Sequence, residues 1–444
     1  MTERNIVVIG MGYVGIPCAV LLADVPGHKV IGVQRRSGRS GWKIDVLNRG
    51  ESPFEGDEPG LAELIARVVE KGTFRVTDDI SVCQDADGIL IDVQTPTDSR
   101  RVPQYRSLRE VSASVGKYMQ KGALVGLEST VAPGTTQNIV QPILEETSGL
   151  KAGQDFYLAF SYERVMPGKL LEYLVDFPRV VGGIDAQSTE LAVELYRTIV
   201  KQEITATDVL TAELAKTVEN AYRDVNIAFA NEMALVCESL GVDVYEMREL
   251  INARPDRHMH IPGAGVGGHC LPKDTWLLRF GVKEYGSRDV DTAMITRARR
   301  INDAMPAQMA RLVEEALAEA GKEVKGSRVA VLGIAYLEDS DDVRNTPAQP
   351  LINTLRARGA WVMAHDPFVW GYEGEELTRD LDEALRGADC LALVTKHRMY
   401  FGLDLEHVKG LMRAPIIVDG RNVFSAQSCR ETGFIYRGIG KGSY

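Results

Sequence analysis

The sequence predicts an α/β protein with two doubly wound units and a long helix between them in the chain. Three observations predict it. The chain opens on a buried-strand pattern, Asn5–Ile9, followed at once by Gly10-Met11-Gly12-Tyr13-Val14-Gly15 and an apolar helical stretch, Ile16 to Leu22. From Thr207 to Leu240 a helical pattern runs without proline or glycine. Beyond it, Arg328–Gly333 restarts a strand pattern that again alternates with helices. The chain's 444 residues leave room for two or three domains, at roughly 100–200 residues each.

Composition narrows the function. The formal charge of −11 argues against a general nucleic-acid surface. No apolar run reaches the ~20 residues of a membrane span. The N-terminus enters a strand pattern directly, with no signal-peptide layout. Cys18, Cys83, Cys237, Cys270, Cys390 and Cys429 are scattered with no CxxC pair, against both a zinc site and a disulfide framework. The expectation is a cytoplasmic enzyme with no metal.

In the N-terminal third, GxGxxG stands in its required setting of strand, turn and helix. Gly10 permits the tight turn, Gly12 leaves space for a pyrophosphate, and Gly15 lets helix and strand close up. The helix start offers N–H groups to phosphate, so the turn with Tyr13 and Val14 is expected to hold a dinucleotide. An acidic residue should end the second strand, Lys29–Val33, to hold the ribose of NAD. Gln34 stands there instead, followed by Arg35 and Arg36. Gln34 can still bond a ribose, which favours NAD, while the arginines leave NADP open. Further strands are expected at Gly88–Val93, Ala123–Glu128, Phe156–Phe160 and Arg179–Gly182. Ligands of open α/β sheets lie beyond the strands' carboxyl ends, which makes Thr95, Glu128 and Thr130 candidates. Turn chemistry and capping would also use such residues. Glu163 follows the next strand and could be a base or a water-positioning group; it could equally be solvated.

The helix Thr207–Leu240 should start at a Thr207 or Asp208 cap and stop at Gly241. At about 48 Å it is long enough to join two domains or to meet a second subunit. Lys216 and Asn220 lie one turn apart on it. A plainer reading makes Lys216 a surface lysine paired with Glu213 or Glu219. Next comes the run Gly263-Ala264-Gly265-Val266-Gly267-Gly268-His269-Cys270-Leu271-Pro272-Lys273-Asp274. Its glycines allow close backbone approach, and its cysteine sits in the polar, cationic setting that thiolate chemistry needs. A turn with a buried cysteine is the alternative. Arg257 and His258, just before it, suit a phosphorylated ligand. His258, His260, His269 and Cys270 do not repeat a metal-ligand spacing. Asp291 to Ala320 reads as two helical runs interrupted near Pro306.

In the C-terminal third, strands are expected at Arg328–Gly333, Ala360–Ala364, Cys390–Val394 and Pro415–Val418, with a helix over Pro347–Arg358. Arg344, at the first strand–helix connection, is the candidate for phosphate or base-edge contact, since a guanidinium fork matches phosphate oxygens. An Arg–Asp pair with its neighbours is the alternative.

Taken in order, Gly10–Gly15, Glu128-Ser129-Thr130, Tyr162-Glu163-Arg164, Glu213–Tyr222, Gly267–Asp274 and Asp341–Pro347 resemble the UDP-glucose/GDP-mannose dehydrogenase family over nearly the whole chain. The resemblance implies two Rossmann-like domains joined by a long central helix, divided as 1–203 for NAD, 204–310 for the central helices and cysteine loop, and 311–444 for the UDP-sugar. It implies a four-electron oxidation of the sugar C6 alcohol to a carboxylate with two NAD and one water. Cys270 then forms the thiohemiacetal and thioester. Lys216 is base or alkoxide stabiliser, Asn220 its oxyanion partner, and Asp274 the group that positions water and keeps Lys216 charged. Glu163 serves thioester hydrolysis, and Thr130 helps hold the same water. The resemblance extends sugar-nucleotide contacts to Arg164, Arg257, His258, Gly267 and Arg344, and implies a homodimer through the central helix. His269, with Tyr162-Glu163-Arg164 and Pro167-Gly168, is similar to the branch acting on UDP-N-acetylmannosamine or UDP-N-acetylglucosamine. Lys273-Asp274 is similar to the UDP-glucose and GDP-mannose branches. The rivals are a two-electron hydroxy-acid dehydrogenase, which would not need Cys270, and a non-catalytic nucleotide-sugar binder.

Overall fold

The computed structural model describes residues 3–442 apart from Arg39, Glu55, Asp57 and Glu373. The chain forms two compact units: residues 1–219 with 276–291, and residues 220–275 with 292–444. The stretch 204–310 is therefore shared between them, because the helices Val209–Leu240 and Leu271–Tyr285 each supply residues to both.

The first unit contains β1 (Arg4–Ile9), β2 (His28–Val33), β3 (Phe74–Thr77), β4 (Gly88–Ile91), β5 (Leu124–Leu127), β6 (Tyr157–Phe160), β7 (Arg179–Gly183) and β8 (Ile204–Asp208). They form one sheet in the order β3-β2-β1-β4-β5-β6-β7-β8. All neighbours are parallel except β6 and β7. Every residue of β4 and β5 is buried, as a sheet covered by helices on both faces requires. The helix Leu61–Glu70 shows the covering pattern, burying Leu61, Leu64, Ile65 and Val68 at helical spacing. Strand order reverses between β1 and β4, so the carboxyl ends of these strands flank a crevice.

The long helix Val209–Leu240 has 32 residues. The Asp208 carboxylate caps it by accepting from the Thr211 N–H at 2.9 Å, and Gly241 ends it at φ +74°. In the second unit, β9 (Arg328–Leu332), β10 (Trp361–His365), β11 (Leu377–Thr378), β12 (Cys390–Leu393), β13 (Ile416–Asp419) and β14 (Ile435–Gly438) form a wholly parallel sheet ordered β11-β10-β9-β12-β13-β14. Among the described residues no helix is long and apolar enough to cross a membrane.

One expectation is corrected. The two runs expected around Pro306 are a single helix, Ala293–Glu319. Pro306 is buried with Met305, Met309, Ala310 and Val313, and its ring lies against the bare backbone of Gly265. Packing of this face offsets the roughly 3 kcal/mol that an interior proline costs.

The core of the second sheet depends on its central strands. Leu391→Ala in β12, where the side chain is fully buried, is expected to lower the unfolding free energy by about 2–5 kcal/mol, read from urea denaturation.

Candidate active site

The glycine turn of the first unit is built as its spacing requires. Gly10 has φ +111°, and a Cβ there would lie 2.1 Å from the Asp92 carbonyl oxygen. A Cβ on Gly15 would lie 1.9 Å from the Gly10 oxygen. A Cβ on Gly12 would meet no protein atom within 4 Å. Two glycines thus serve internal packing, and the third faces open space at the start of the helix Gly15–Asp24, where a dinucleotide pyrophosphate fits. Tyr13 stacks on Phe54 with ring centroids 4.6 Å apart. Gln34 braces the turn: its Oε1 accepts from the Met11 N–H at 3.0 Å and its Nε2 donates to Ser40 Oγ at 3.0 Å. Arg36 pairs with Asp78 at 3.0 Å, and Arg35 stands 3.9 Å from Glu110. Lys43, which no motif singled out, donates to the Met11 carbonyl at 3.2 Å.

The strand-end candidates of this unit fall into two groups. Thr95 donates to the Thr130 carbonyl at 2.6 Å, tying the segments after β4 and β5 together. Glu128 instead turns its carboxylate into a buried ion pair with Arg179, whose guanidinium stacks 3.8 Å from the Tyr196 ring centroid. Burial and the neighbouring Glu128 push the Asp92 carboxyl well up.

Lys216 is buried rather than a solvated surface residue. Its ammonium donates to the Glu163 carbonyl at 2.7 Å and lies 5.2 Å from the Tyr162 ring centroid. The two glutamates that could have paired with it are engaged elsewhere. Glu219 binds Arg164 at 3.0 Å. Glu213 accepts from the Gly134 N–H at 2.6 Å, the Thr136 N–H at 2.8 Å and the Thr136 hydroxyl at 2.6 Å. The Glu163 carboxylate accepts from the Val165 N–H at 2.5 Å. Arg164 also donates to the Tyr162 hydroxyl and the Pro178 carbonyl.

In the second unit, Cys270 immediately precedes the helix Leu271–Tyr285, and its carbonyl accepts from the N–H groups of Lys273 and Asp274. A helix start favours thiolate. Asp274 is fully buried; its Oδ2 accepts from Asn220 Nδ2 at 2.6 Å, and its Oδ1 lies 3.7 Å from Lys273 Nζ. Burial, with Lys273 and Arg344 nearby, pushes His269 down to about 3, so its ring is neutral.

The glycine run is clamped from one side by Tyr336 and from another by Arg421. A Cβ on Gly267 would lie 2.4 Å from Tyr336 Cβ, and one on Gly263 would lie 2.4 Å from Arg421 Nη1. Arg421 donates to the Gly265 carbonyl at 3.1 Å and the Val394 carbonyl at 2.7 Å. The Gly268 N–H donates to the Arg344 carbonyl at 2.8 Å. Arg344 is braced by the buried Asp342 at 2.8 Å, the pairing its neighbours suggested. Arg257 pairs with Asp256 at 2.7 Å, and His258 meets the edge of His260; both lie on an exposed loop. Sequence reasoning missed Tyr336 and Arg421. Tyr336 lies in the segment after β9, which ends at Leu332, and Arg421 in the segment after β13, which ends at Asp419, so the strand-end rule could have found them.

A dinucleotide turn, a cysteine at a helix start and a second α/β unit define a dehydrogenase. The chain belongs to the UDP-glucose/GDP-mannose dehydrogenase family: residues 4–200 match its NAD binding domain, 210–304 its central domain and 330–426 its UDP binding domain. It is an NAD-dependent oxidoreductase. It is 40% identical to UDP-N-acetyl-D-mannosamine dehydrogenase of Pyrococcus horikoshii, over 99% of each chain. A solved structure of UDP-D-ManNAc dehydrogenase from that organism superposes with TM-score 0.91, covering 98% of this chain and 99% of the other at 39% identity. The crystal structure of NDP-N-acetyl-D-galactosaminuronic acid dehydrogenase from Methanosarcina mazei Go1 gives TM-score 0.89 at 44% identity, covering 99% and 96%.

Because a Cβ at Gly12 meets no protein atom, Gly12→Ala should melt at the wild-type temperature yet raise the KM for NAD about tenfold or more. Thermal melts and NAD titrations check the two halves. Burial raises the Glu213 carboxyl from 4.5 to about 7. Between these values the unfolded chain has lost a proton that the folded chain retains, so this group's contribution to stability falls as pH rises. Relative to Glu213→Gln, the wild type should lose up to about 3 kcal/mol over that window, measured by unfolding at a series of pH values.

Proposed function

We propose that this protein oxidises the C6 alcohol of a UDP-N-acetylhexosamine, UDP-N-acetylmannosamine or UDP-N-acetylglucosamine, to the carboxylate. The observation that carries this reading is Cys270 at a helix start, four residues before the buried Asp274 that Asn220 holds. The relatives named for UDP-N-acetyl-D-mannosamine support the sugar class. A UDP-glucose dehydrogenase from Pyrobaculum islandicum is less alike, at 27% identity. The division 1–203, 204–310 and 311–444 is kept as the functional one.

Gly10, Gly12, Tyr13, Val14 and Gly15 would hold the NAD diphosphate, with Gln34 and Arg35 toward its ribose and Thr95, Glu128 and Thr130 behind the strand ends. Bound NAD supplies the hydride acceptor, two equivalents per sugar. Lys216 accepts the C6 alcohol proton or stabilises the alkoxide as the first hydride leaves, giving the aldehyde. The Cys270 thiolate then forms a C–S bond to the aldehyde carbon, and the carbonyl electron pair moves to oxygen. Lys216 and Asn220 stabilise that oxyanion. Loss of a second hydride from the same carbon leaves a thioester. Glu163 takes a proton from a water that Thr130 and Asp274 help place; water adds, the C–S bond breaks, and the thiolate leaves. Arg344, with Arg164, Arg257, His258 and Gly267, receives the nucleotide sugar.

Leu210, Leu214, Val218, Tyr222, Phe229, Val236 and Leu240 are exposed along the long helix at near-helical spacing, which supports a homodimer through that face. None of the cysteines is in a disulfide, which supports a cytoplasmic setting.

The test is NADH formed per sugar consumed, over UDP-N-acetylmannosamine, UDP-N-acetylglucosamine, UDP-N-acetylgalactosamine, UDP-glucose and GDP-mannose. Two NADH per UDP-N-acetylhexosamine are expected, with Cys270→Ser forming no carboxylate. Asn220→Ala should lose about a hundredfold in kcat, the worth of one oxyanion donor. One NADH per turnover with Cys270 dispensable would sink the proposal.

A further inference from the structure

Four fully buried polar side chains of the second unit form a chain of hydrogen bonds that ends on the glycine run. Asp224 and Asn231 lie on the long helix, and Arg299 and Asn302 lie on the helix Ala293–Glu319; each is at most 1% exposed. Arg299 Nη1 donates to Asp224 Oδ1 at 2.6 Å. Asn302 Nδ2 donates to the same oxygen at 2.8 Å and to the Asp224 carbonyl at 3.0 Å. Asn231 Nδ2 donates to Asn302 Oδ1 at 2.8 Å. The Gly263 N–H donates to Asn231 Oδ1 at 2.9 Å.

This relay has one polarity. The Gly263 N–H can only donate, so Asn231 must offer it oxygen and turn its NH2 to Asn302. Asp224 offers only acceptors, so Asn302 must offer it NH2 and turn its oxygen to Asn231. Each amide orientation is thus set by the two ends. An amide that flipped would leave buried groups unpaired, at a cost far above that of an exposed mismatch.

The relay ends seven residues before Cys270. The same helix also carries Asn220, which binds Asp274 four residues after the cysteine. One rigid helix therefore grips the cysteine segment on both sides, at Gly263 through Asn231 and at Asp274 through Asn220. We propose that Asn231 and Asn302 are positioning residues that set where the Cys270 sulfur sits for capture of the sugar aldehyde. They act through the backbone of the glycine run and touch no substrate. This inference rests on Cys270 being the nucleophile.

The full-length enzyme tests it with UDP-N-acetylmannosamine or whichever UDP-N-acetylhexosamine it turns over. Asn231→Ala should lower kcat about tenfold or more, as small displacements of a reacting group do. The KM for NAD should stay within about twofold. Aldehyde trapped by hydroxylamine should rise above the wild-type level, because a displaced thiolate captures it less often. Iodoacetamide labelling of Cys270, followed by peptide mass, should change in rate without any turnover. Should Asn231→Ala not fold, Asn231→Asp decides: it keeps the acceptor for Gly263 but faces the Asn302 oxygen with another acceptor. Its kcat should fall at least about threefold while the KM for NAD stays unchanged. Wild-type kcat and aldehyde release in Asn231→Ala, or in Asn231→Asp should the first not fold, would overturn the proposal. Cys270→Ala is run in parallel. If it stays active, the nucleophile assignment fails; if it is dead while Asn231→Ala is unimpaired, the relay alone fails.

Discussion

The second unit depends on a stretch of backbone that has no room for side chains. At Gly263, Gly265 and Gly267 a Cβ would fall on Arg421, Pro347 or Tyr336 at 2.4–2.8 Å. Glycine there lets a guanidinium, a proline ring and a tyrosine ring seat directly on the chain. The run gives up conformational freedom to hold that path, and its neighbours must restrain it from several sides. Gly420, Arg421, Asn345 and Asn231 each bond it. A cysteine at the end of a segment restrained in this way has a defined direction, which a cysteine on a loose loop would lack.

Buried charge follows the same logic. Glu128 with Arg179 and Asp224 with Arg299 place ions where water cannot reach them. Removing charges from water costs more than such pairs usually return, so they are weak arguments for stability. Both stand where separate elements cross. Glu128 follows β5 and Arg179 opens β7; Asp224 and Arg299 join two helices. Each pair thus ties two separate elements together. Glu213 acts similarly with neutral partners, as its carboxyl gathers the donors of Gly134 and Thr136 and so fixes the segment after β5.

The fold was legible where burial is complete. The interior strands β1, β4, β5, β9, β12 and β13 are apolar runs, and such runs announce themselves. The strands that no pattern revealed, β3, β8, β11 and β14, are the four edge strands. They are short or half-exposed, so their residues need not alternate or stay apolar. Pro306 misled for a related reason: propensity treats a proline as a break, but the packed face of Ala293–Glu319 carries the helix past it. Of the candidate site, the glycine turn and Cys270 could be picked out by residue type and spacing, whereas Lys216, Asn220 and Asp274 were singled out through the family resemblance. Tyr336 and Arg421 are reachable only through the strand-end rule, and nothing in the spacing of Lys43 to the motifs marks it.

The amino-acid sequence by itself determined the class of protein. GxGxxG after a strand, a proline-free helix of 32 residues and a cysteine inside a glycine run each encode local geometry through residue type, and local geometry is what sequence patterns record. Only the tertiary structure decided how each polar side chain is used. It turned Gln34 to brace the glycine turn, buried Glu128 against Arg179 and threaded an amide relay from Asp224 to Gly263. Those choices are set by contacts between residues tens to hundreds of positions apart, where a buried donor must find an acceptor, and no local pattern carries that information.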